Sequence, residues 1–473
     1  MFKFLKEGVQ RFQLEKKDKI YLFFFLSLYL IYGVFHILYF PLFIDEALTF
    51  NGYASQNLIT IISNYEEPNN HIFFSLIAHF FNYLPFPTLF NLRLPNLLIG
   101  LIASLLFYFT LRSKYNHKIS IIPHLFFTFC YFFNFYSVFA RGYMLIILAT
   151  IICYFCIEKL VNHFNTKYLL IYSITSIIGF YTIPVFLYVS STFILYLFIN
   201  FYNKKNQLFI LFKYHILIAI TVLILYMPII MYNGIDSLIN NEWTKKIPTI
   251  EIIEGFKNGT LLNMYDKITG LRSWLIMSFF FITLVFFYFR NASYIEKKDI
   301  QFVILSFTLP FVFIFAQHVI PGTRTWCYLI IPFSIGIGII INRVLNFIAF
   351  PNSLILTGGI FVIAINIYIF RKSHPSAAKD LDFSTELFVS KINSFNFKCY
   401  FIEDKPKSYI ESFLKFENYR KHVQYHNMSS GVKDIPWDKI DCFILKKDSK
   451  FSNQLNNKTI LFESSTHIAF ANK

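Results

Sequence analysis

Runs of about 20 apolar residues, long enough to cross a hydrocarbon layer of roughly 30 Å as helix, recur from residue 20 to residue 370. Lipid leaves no partner for a free backbone N–H or C=O, so spans are helices or closed barrels, and these runs are too long and too uniformly apolar for barrel strands. Candidate spans cover residues 20–41, 71–84, 94–111, 119–139, 142–157, 168–182, 184–201, 209–230, 272–289, 301–319, 325–342 and 353–370. With 56% hydrophobic, 21% aromatic and only 15% charged residues, and a mean hydropathy of +0.51, the chain departs from the balance of a soluble domain. The expected fold is an all-α polytopic membrane protein of about 11–13 transmembrane helices, followed by a small C-terminal α/β soluble domain.

The formal net charge of +16 does not point to nucleic acid. Its basic residues sit in short loops and in the tail without a groove pattern, which fits loop anchoring and contact with anionic membrane lipid. Residues 1–19 read as an uncleaved cytoplasmic start. The basic loops "RSKYNHK", "EKLVNHFNTK", "NKKNQ" and "RNASYIEKKD" read as cytoplasmic, and "ARGY", "YTIP", residues 231–271 and "IPGTR" as exterior. One conflict stands near the start. If the first helix runs outward and residues 71–84 and 94–111 both cross, "RSKYNHK" lands outside, against the charge rule.

The membrane domain spans residues 20–371, with exterior loops at 42–70 and 231–271. In the first loop, Leu48, Tyr53, Leu58 and Ile61 or Ile62 are spaced loosely like an amphipathic helix at the interface. Residues 372–473 form the soluble domain, expected outside the cytoplasm, with strand-like runs "KCYFIE", "DCFILKK" and "HIAFANK" and a helical "SYIESFLKFENYRK". Cys153 and Cys156 lie in an apolar helix and read as packing residues. Cys399 and Cys442 fall in two of the strand-like runs, where a disulfide is conceivable. No Walker loop, dinucleotide fingerprint or metal-spaced His/Cys cluster occurs.

Asp45 and Glu46 follow "FPLFI" at the outer end of the first span. Alone they read as interfacial loop acids. The same loop closes on "EEPNNHIFF", which places Glu66, Glu67, Asn69, Asn70 and His71 before the next apolar segment, and two polar clusters flanking one loop look like a site. Arg141 in "FYSVFARGYMLIILA" interrupts about thirty apolar residues, and an intramembrane arginine is costly unless it snorkels, faces a cavity or finds an anion. Arg324 in "QHVIPGTRTWCYLIIP" repeats the situation, with Gln317, His318 and Tyr328 nearby. A guanidinium binds phosphate bidentately and stays charged, whereas a carboxylate can orient and deprotonate a hydroxyl or amine. Together they suit a displacement in which a lipid phosphate leaves and an acceptor attacks, with Asp45 as base.

The order "IDEALTF", "EEPNNHIFFSLIAHFF", "LRLPNLLIGLIASLLFYFTLR", "FYSVFARGYMLIILAT", "GFYTIPVFLY" and "PGTRTWCYLIIPF", over roughly residues 20–345, resembles the membrane-embedded GT-C glycosyltransferases. The likeness is to bacterial members related to protein mannosyltransferases and aminoarabinose transferases, also described as glycosyltransferase family 39 or RgtA/B/C/D-like. The resemblance implies a GT-C fold and a hexosyl- or pentosyltransferase. It would move a sugar from a polyprenyl-phosphate donor to a glycan, lipid or protein acceptor on the non-cytoplasmic face, in a bacterial inner membrane. The family's acidic base maps onto Asp45, with Glu46 beside it. Its Asn-His-Pro type segment appears as "PNNHIFF", where His71 matches and Ile72 replaces the common proline; its R-x-Y maps onto Arg141 and Tyr143, and "LRLP" places Arg93 and Pro95. The usual Y-T-H-Y is "YTIP" here, so one familiar histidine is absent. A late basic residue maps onto Arg324. Arg141, Tyr143, Arg324 and His71 are thus expected to bind the donor phosphate, supported by Glu67, Asn70, Arg93, His318 and Tyr328. Asp45, Glu46, Glu66 and Glu67 could ligate Mg²⁺ or Mn²⁺, but the resemblance favours no metal and no cofactor. A flippase or transporter of lipid-linked glycans, or a glycan polymerase or ligase, would need the same phosphate contacts.

Overall fold

The computed structural model describes residues 15–65, 70–239, 245–257, 268, 274–290, 292–347, 385, 387–403, 408–419, 421, 423–427, 439–447, 449, 458–464 and 466–471. The chain divides into two compact units, residues 1–38 with 62–373 and residues 39–61 with 374–473. The principal helices in chain order are α1 (Lys16–Tyr39), α2 (Ile44–Thr49), α3 (Ile72–Phe81), α4 (Thr88–Arg112), α5 (His117–Phe129), α6 (Tyr131–Tyr136), α7 (Tyr143–Asn162) and α8 (Thr166–Thr182). They continue with α9 (Phe186–Phe201), α10 (Lys205–Asn233), α11 (Thr249–Lys257), α12 (Trp274–Phe289), α13 (Tyr294–Gln317), α14 (Ile330–Phe347) and α15 (Tyr409–Glu417).

Among the described residues, six helices are long and apolar enough to cross a membrane: α1, α4, α7, α10, α13 and the segment Thr323–Leu345, a 3-10 turn continued by α14. The protein is an integral membrane protein. The apolar helices α9 and α12 are shorter. The run expected as one span over residues 119–139 is two helices, because Cys130 takes an extended backbone (ψ 160°) that stops the ladder between α5 and α6. The candidate span at 353–370 lies outside the described residues.

The conflict at the start of the chain resolves in the first unit. Helix α3 has 10 residues and is about 15 Å long, half of what a crossing needs. The chain then turns back under Asn91, whose Nδ2 donates to the carbonyls of Leu84 (2.8 Å) and Phe86 (3.1 Å), and enters α4. At the far end of α4, Arg112 Nε donates to Asp18 Oδ1 at 2.7 Å, in the first turn of α1. The start of α1 and the end of α4 therefore share one end of the unit, and "RSKYNHK" lies with the N-terminal segment as the charge rule requires. More buried charges close that end: Lys114 Nζ meets Asp299 Oδ1 at 2.7 Å and Glu158 Oε2 at 3.3 Å, and Arg343 pairs with Glu296.

The second unit holds a five-stranded sheet of β1 (Cys399–Ile402), β2 (Gln424–Asn427), β3 (Cys442–Lys446), β4 (Thr459–Glu463) and β5 (His467–Ala471), in the order β2-β1-β3-β5-β4. β1 runs parallel to β2 and β3, while β5 runs antiparallel to β3 and β4. The apolar strands β1 and β3 read as continuous runs because both faces are covered. Cys399, Phe401, Ile440, Phe443, Leu445 and Phe470 form one core cluster. Cys399 and Cys442 are free thiols, as are Cys153 and Cys156. Helix α15 connects β1 to β2, as parallel neighbours demand.

Residues 42–61 belong to this second unit rather than to the helical one. The loose helical spacing expected there is three short pieces: α2, a π-helical turn, Phe50–Ala54, closed by Ser55 N–H donating to Phe50 O at 2.9 Å, and a six-residue helix, Leu58–Ser63. Of the residues on that spacing, Tyr53 and Ile61 are buried and Leu58 is exposed.

Candidate active site

In the helical unit, the segment before α3 is pinned by Tyr65 N–H, which donates to Asn233 Oδ1 (2.7 Å) at the end of α10. The same segment packs Tyr65 and Ile72 with Tyr181, Tyr226 and Ile229. Asn70 Nδ2 donates to Asn64 O (2.9 Å), and Ser75 Oγ donates to Asn70 Oδ1 (2.9 Å). These contacts deliver His71, 3% exposed, to the N-terminus of α3. Burial pushes the Tyr65 hydroxyl up to about 12, so it stays protonated, while the nearby Arg141 charge pulls the other way.

Arg141 lies in the irregular link between α6 and α7 and is 1% exposed. Asn96 in α4 shapes that link, its Nδ2 donating to the carbonyls of Arg141 (2.8 Å) and Phe139. Gly142 N–H donates to His71 Nδ1 at 2.7 Å, and Arg141 Nη2 lies 3.2 Å from His71 Nε2. A Cβ on residue 142 would come within 2.5 Å of Thr182 Cγ2 and 3.0 Å of His71 Cβ, so only glycine lets the link approach the ring this closely. Tyr143 meets the His71 ring edge-on, with centroids 5.0 Å apart at 90°.

The two contacts of His71 set its chemistry. Because the backbone N–H can only donate, Nδ1 accepts, and the neutral ring carries its hydrogen on Nε2. Burial first, then the charges of Arg141 and Arg324, hold the imidazole well below its usual range, so it is neutral. Two donors, Nε2–H and the Arg141 guanidinium, then stand 3.2 Å apart. An anionic oxygen placed between them could accept from both.

Other expected residues take different places. Arg93 is 1% exposed and donates from Nη1 to Ile37 O (3.2 Å), bracing the end of α1. Arg324, in the 3-10 turn, is half-buried, and its charge reaches His71. His318 takes a left-handed backbone (φ 56°) and exchanges contacts with Ile247, its carbonyl accepting from Ile247 N–H at 2.8 Å. Tyr328 is buried and lines a small cavity with Tyr143, Thr325 and Cys327; its hydroxyl has no hydrogen bond among the described residues. Glu66 and Glu67 lie outside the described residues.

Asp45 and Glu46 sit in the second unit, adjacent in α2 but in different surroundings. Asp45 is half-buried, and its carbonyl accepts from Thr49 Oγ1 at 2.7 Å. Glu46 is fully buried, and its Oε2 accepts from Phe43 N–H at 3.1 Å, capping the start of the helix. Among the described residues, no group of three His, Cys, Asp or Glu side chains is placed to hold a metal ion. Asn96, Gly142 and Tyr65 escaped the sequence reading. Asn96 left a signal, a lone amide beside Pro95 in an apolar helix; the other two left none.

The helical unit and the sheet domain recur together in a solved structure, ArnT from Cupriavidus metallidurans in the apo state, with a TM-score of 0.62 at 10% identity. The match covers 97% of this chain and 99% of that one. The fold is that of ArnT. A second structure of ArnT from Cupriavidus metallidurans, bound to undecaprenyl phosphate, gives a TM-score of 0.60 at 11% identity over 96% of this chain and 98% of that one. Residues 68–232 match the family model for dolichyl-phosphate-mannose-protein mannosyltransferases. That stretch contains His71, Arg93, Asn96, Arg141 and Tyr143 on the ArnT-like fold. No curated protein matches the chain by sequence.

Proposed function

We propose that the protein is a glycosyltransferase that moves a sugar from a polyprenyl-phosphate donor to a glycan, lipid or protein acceptor on the non-cytoplasmic face of a bacterial inner membrane. The observation that carries this reading is the buried donor pair, His71 Nε2–H and the Arg141 guanidinium, 3.2 Å apart. Support comes from the mannosyltransferase family match over the same residues and from ArnT, whose structure holds undecaprenyl phosphate.

In the proposed reaction, Asp45 takes the proton of an acceptor hydroxyl or amine, and the freed lone pair attacks the anomeric carbon. The bond from that carbon to the phosphate oxygen breaks, and its electrons stay on the lipid phosphate. Arg141 and His71 stabilise the charge gained there, which is where a fixed pair of donors lowers a barrier. Arg324 adds positive charge, and Tyr143 holds the His71 ring. Glu46 caps the helix that carries Asp45. No metal or cofactor is assigned a step.

The test is binding of undecaprenyl phosphate to the purified protein. Arg141→Ala is expected to weaken it at least tenfold, about 1.4 kcal/mol or more, and His71→Ala by a similar factor. Unchanged affinity in both variants would remove the phosphate site. A flippase of lipid-linked glycans would show the same losses in binding; sugar transfer abolished by Asp45→Asn separates the enzyme from it.

A further inference from the structure

The second unit joins two parts of the chain that are far apart in sequence, and it joins them at the segment following Asp45. Phe50, the first residue of the π-helical turn, is 1% exposed. Its ring lies between two rings at the end of α15 and just beyond it, 4.9 Å from Phe416 at 67° and 4.8 Å from Tyr419 at 83°. Edge-to-face pairs of this kind hold rings together beyond what their buried area contributes. Next to it, Asn51 Nδ2 donates to Ser412 O in α15 at 2.8 Å, and Asn51 O in turn accepts from Gln56 Nε2 at 2.7 Å. Ala47 and Ala54, on either side of Phe50, are fully buried.

Helix α2 is only six residues long, too short to hold its shape alone in water. Its internal supports are the Glu46 cap and the Thr49 hydroxyl bond to Asp45 O. The π-helical turn inserts one extra residue per turn, a costly feature that persists where surrounding structure requires it and that occurs often at functional sites. Here the requirement is visible: the turn directs Phe50 into the aromatic cleft and Asn51 onto a helix carbonyl.

We propose that the C-terminal domain acts as a positioning element for the reaction, with Phe50 and Asn51 as positioning residues through which α15 fixes α2 and so the carboxylate of Asp45. The inference rests on Asp45 being the base. It assigns the soluble domain a role in the chemical step.

The test uses full-length protein in membranes, with a synthetic undecaprenyl-phosphate hexose carrying a radiolabelled sugar as donor and host envelope glycolipid as acceptor. Phe50→Ala and Tyr419→Ala are each expected to lower kcat about tenfold or more while leaving KM for the lipid donor within about twofold, since a base set out of line costs the step and not the binding. Phe50→Leu, which keeps an apolar wedge, should recover most of the loss. Hydrogen exchange on the same proteins should show the amides of residues 44–55 losing protection in Phe50→Ala and regaining it in Phe50→Leu. Full kcat in Phe50→Ala with loosened amides overturns the inference, and so does unchanged protection. Loss of transfer explained wholly by lower abundance also overturns it, because that is a folding role alone. Asp45→Asn separates the premise: full transfer in that variant removes Asp45 as base, whereas its loss beside a normal Phe50→Ala removes only the positioning role.

Discussion

His71 shows how one ring can be assigned by its neighbours. Gly142 N–H makes Nδ1 an acceptor, and burial with two arginine charges keeps the ring neutral. A proton taken up by His71 in the unfolded chain is refused in the fold. The unfolded state therefore binds more protons below its ordinary value of about 6.5, and stability is present above that pH and lost as pH falls through it, by at most about 1.4 kcal/mol per pH unit. His71→Asn, whose Oδ1 falls near the place of Nδ1, keeps an acceptor for Gly142 and removes the titration. The thermal midpoint of the wild type between pH 8 and pH 5 is expected to fall more steeply than that of His71→Asn; parallel curves would show that His71 does not contribute. Glu46 and Asp45 differ in the same way, by surroundings. Two adjacent acids read as a pair in the sequence, yet one caps a helix and the other is half-buried beside it.

At the scale of elements, the helical unit is closed at one end by charges that only tertiary packing brings together. Lys114 follows α4, Glu158 ends α7 and Asp299 opens α13, and their side chains are nearly all removed from water. Removing one partner of such a group leaves the others buried and uncompensated, at a cost of about 3–5 kcal/mol. Lys114→Met is expected to lower stability by that order, and Lys114→Met with Asp299→Leu by clearly less, measured by thermal melting in detergent. A double variant as unstable as the single one would mean that Glu158 or Tyr154 carries the penalty. Helix α3 is an element whose length decides topology. Its ten residues, eight of them apolar, invite counting as a span, and the turn held by Asn91 shows why they are not one.

For the molecule as a whole, the arrangement of α1 and α4 makes a claim that chemical labelling can check. Lys17 and Ser113 are exposed at the end closed by Asp18 and Arg112, and Asp236 is exposed beyond the other end of α10. A membrane-impermeant maleimide applied to intact cells should label Asp236→Cys and spare Lys17→Cys and Ser113→Cys. Labelling of Ser113→Cys together with Asp236→Cys would restore α3 as a crossing. The membrane class, the six long helical spans and three of the five strands were legible from the chain alone, because apolar runs and alternation are local patterns tied to burial. So was Arg141, since a charge within apolar sequence is costly and therefore conspicuous, and His71 stood out at the end of a polar cluster before an apolar segment. What no local pattern could carry was which partners these groups find. Arg141 and His71 are 70 residues apart, and Asn51 and Ser412 are 361 apart. The sequence by itself determined that the chain enters a membrane as helices and carries buried cations; only the tertiary structure decided that α3 does not cross, that the first loop packs on the C-terminal domain, and that His71 and Arg141 present two donors together. The physical reason is that helix length and burial follow from neighbouring residues, whereas a hydrogen-bond role is set by whichever distant group the fold places opposite.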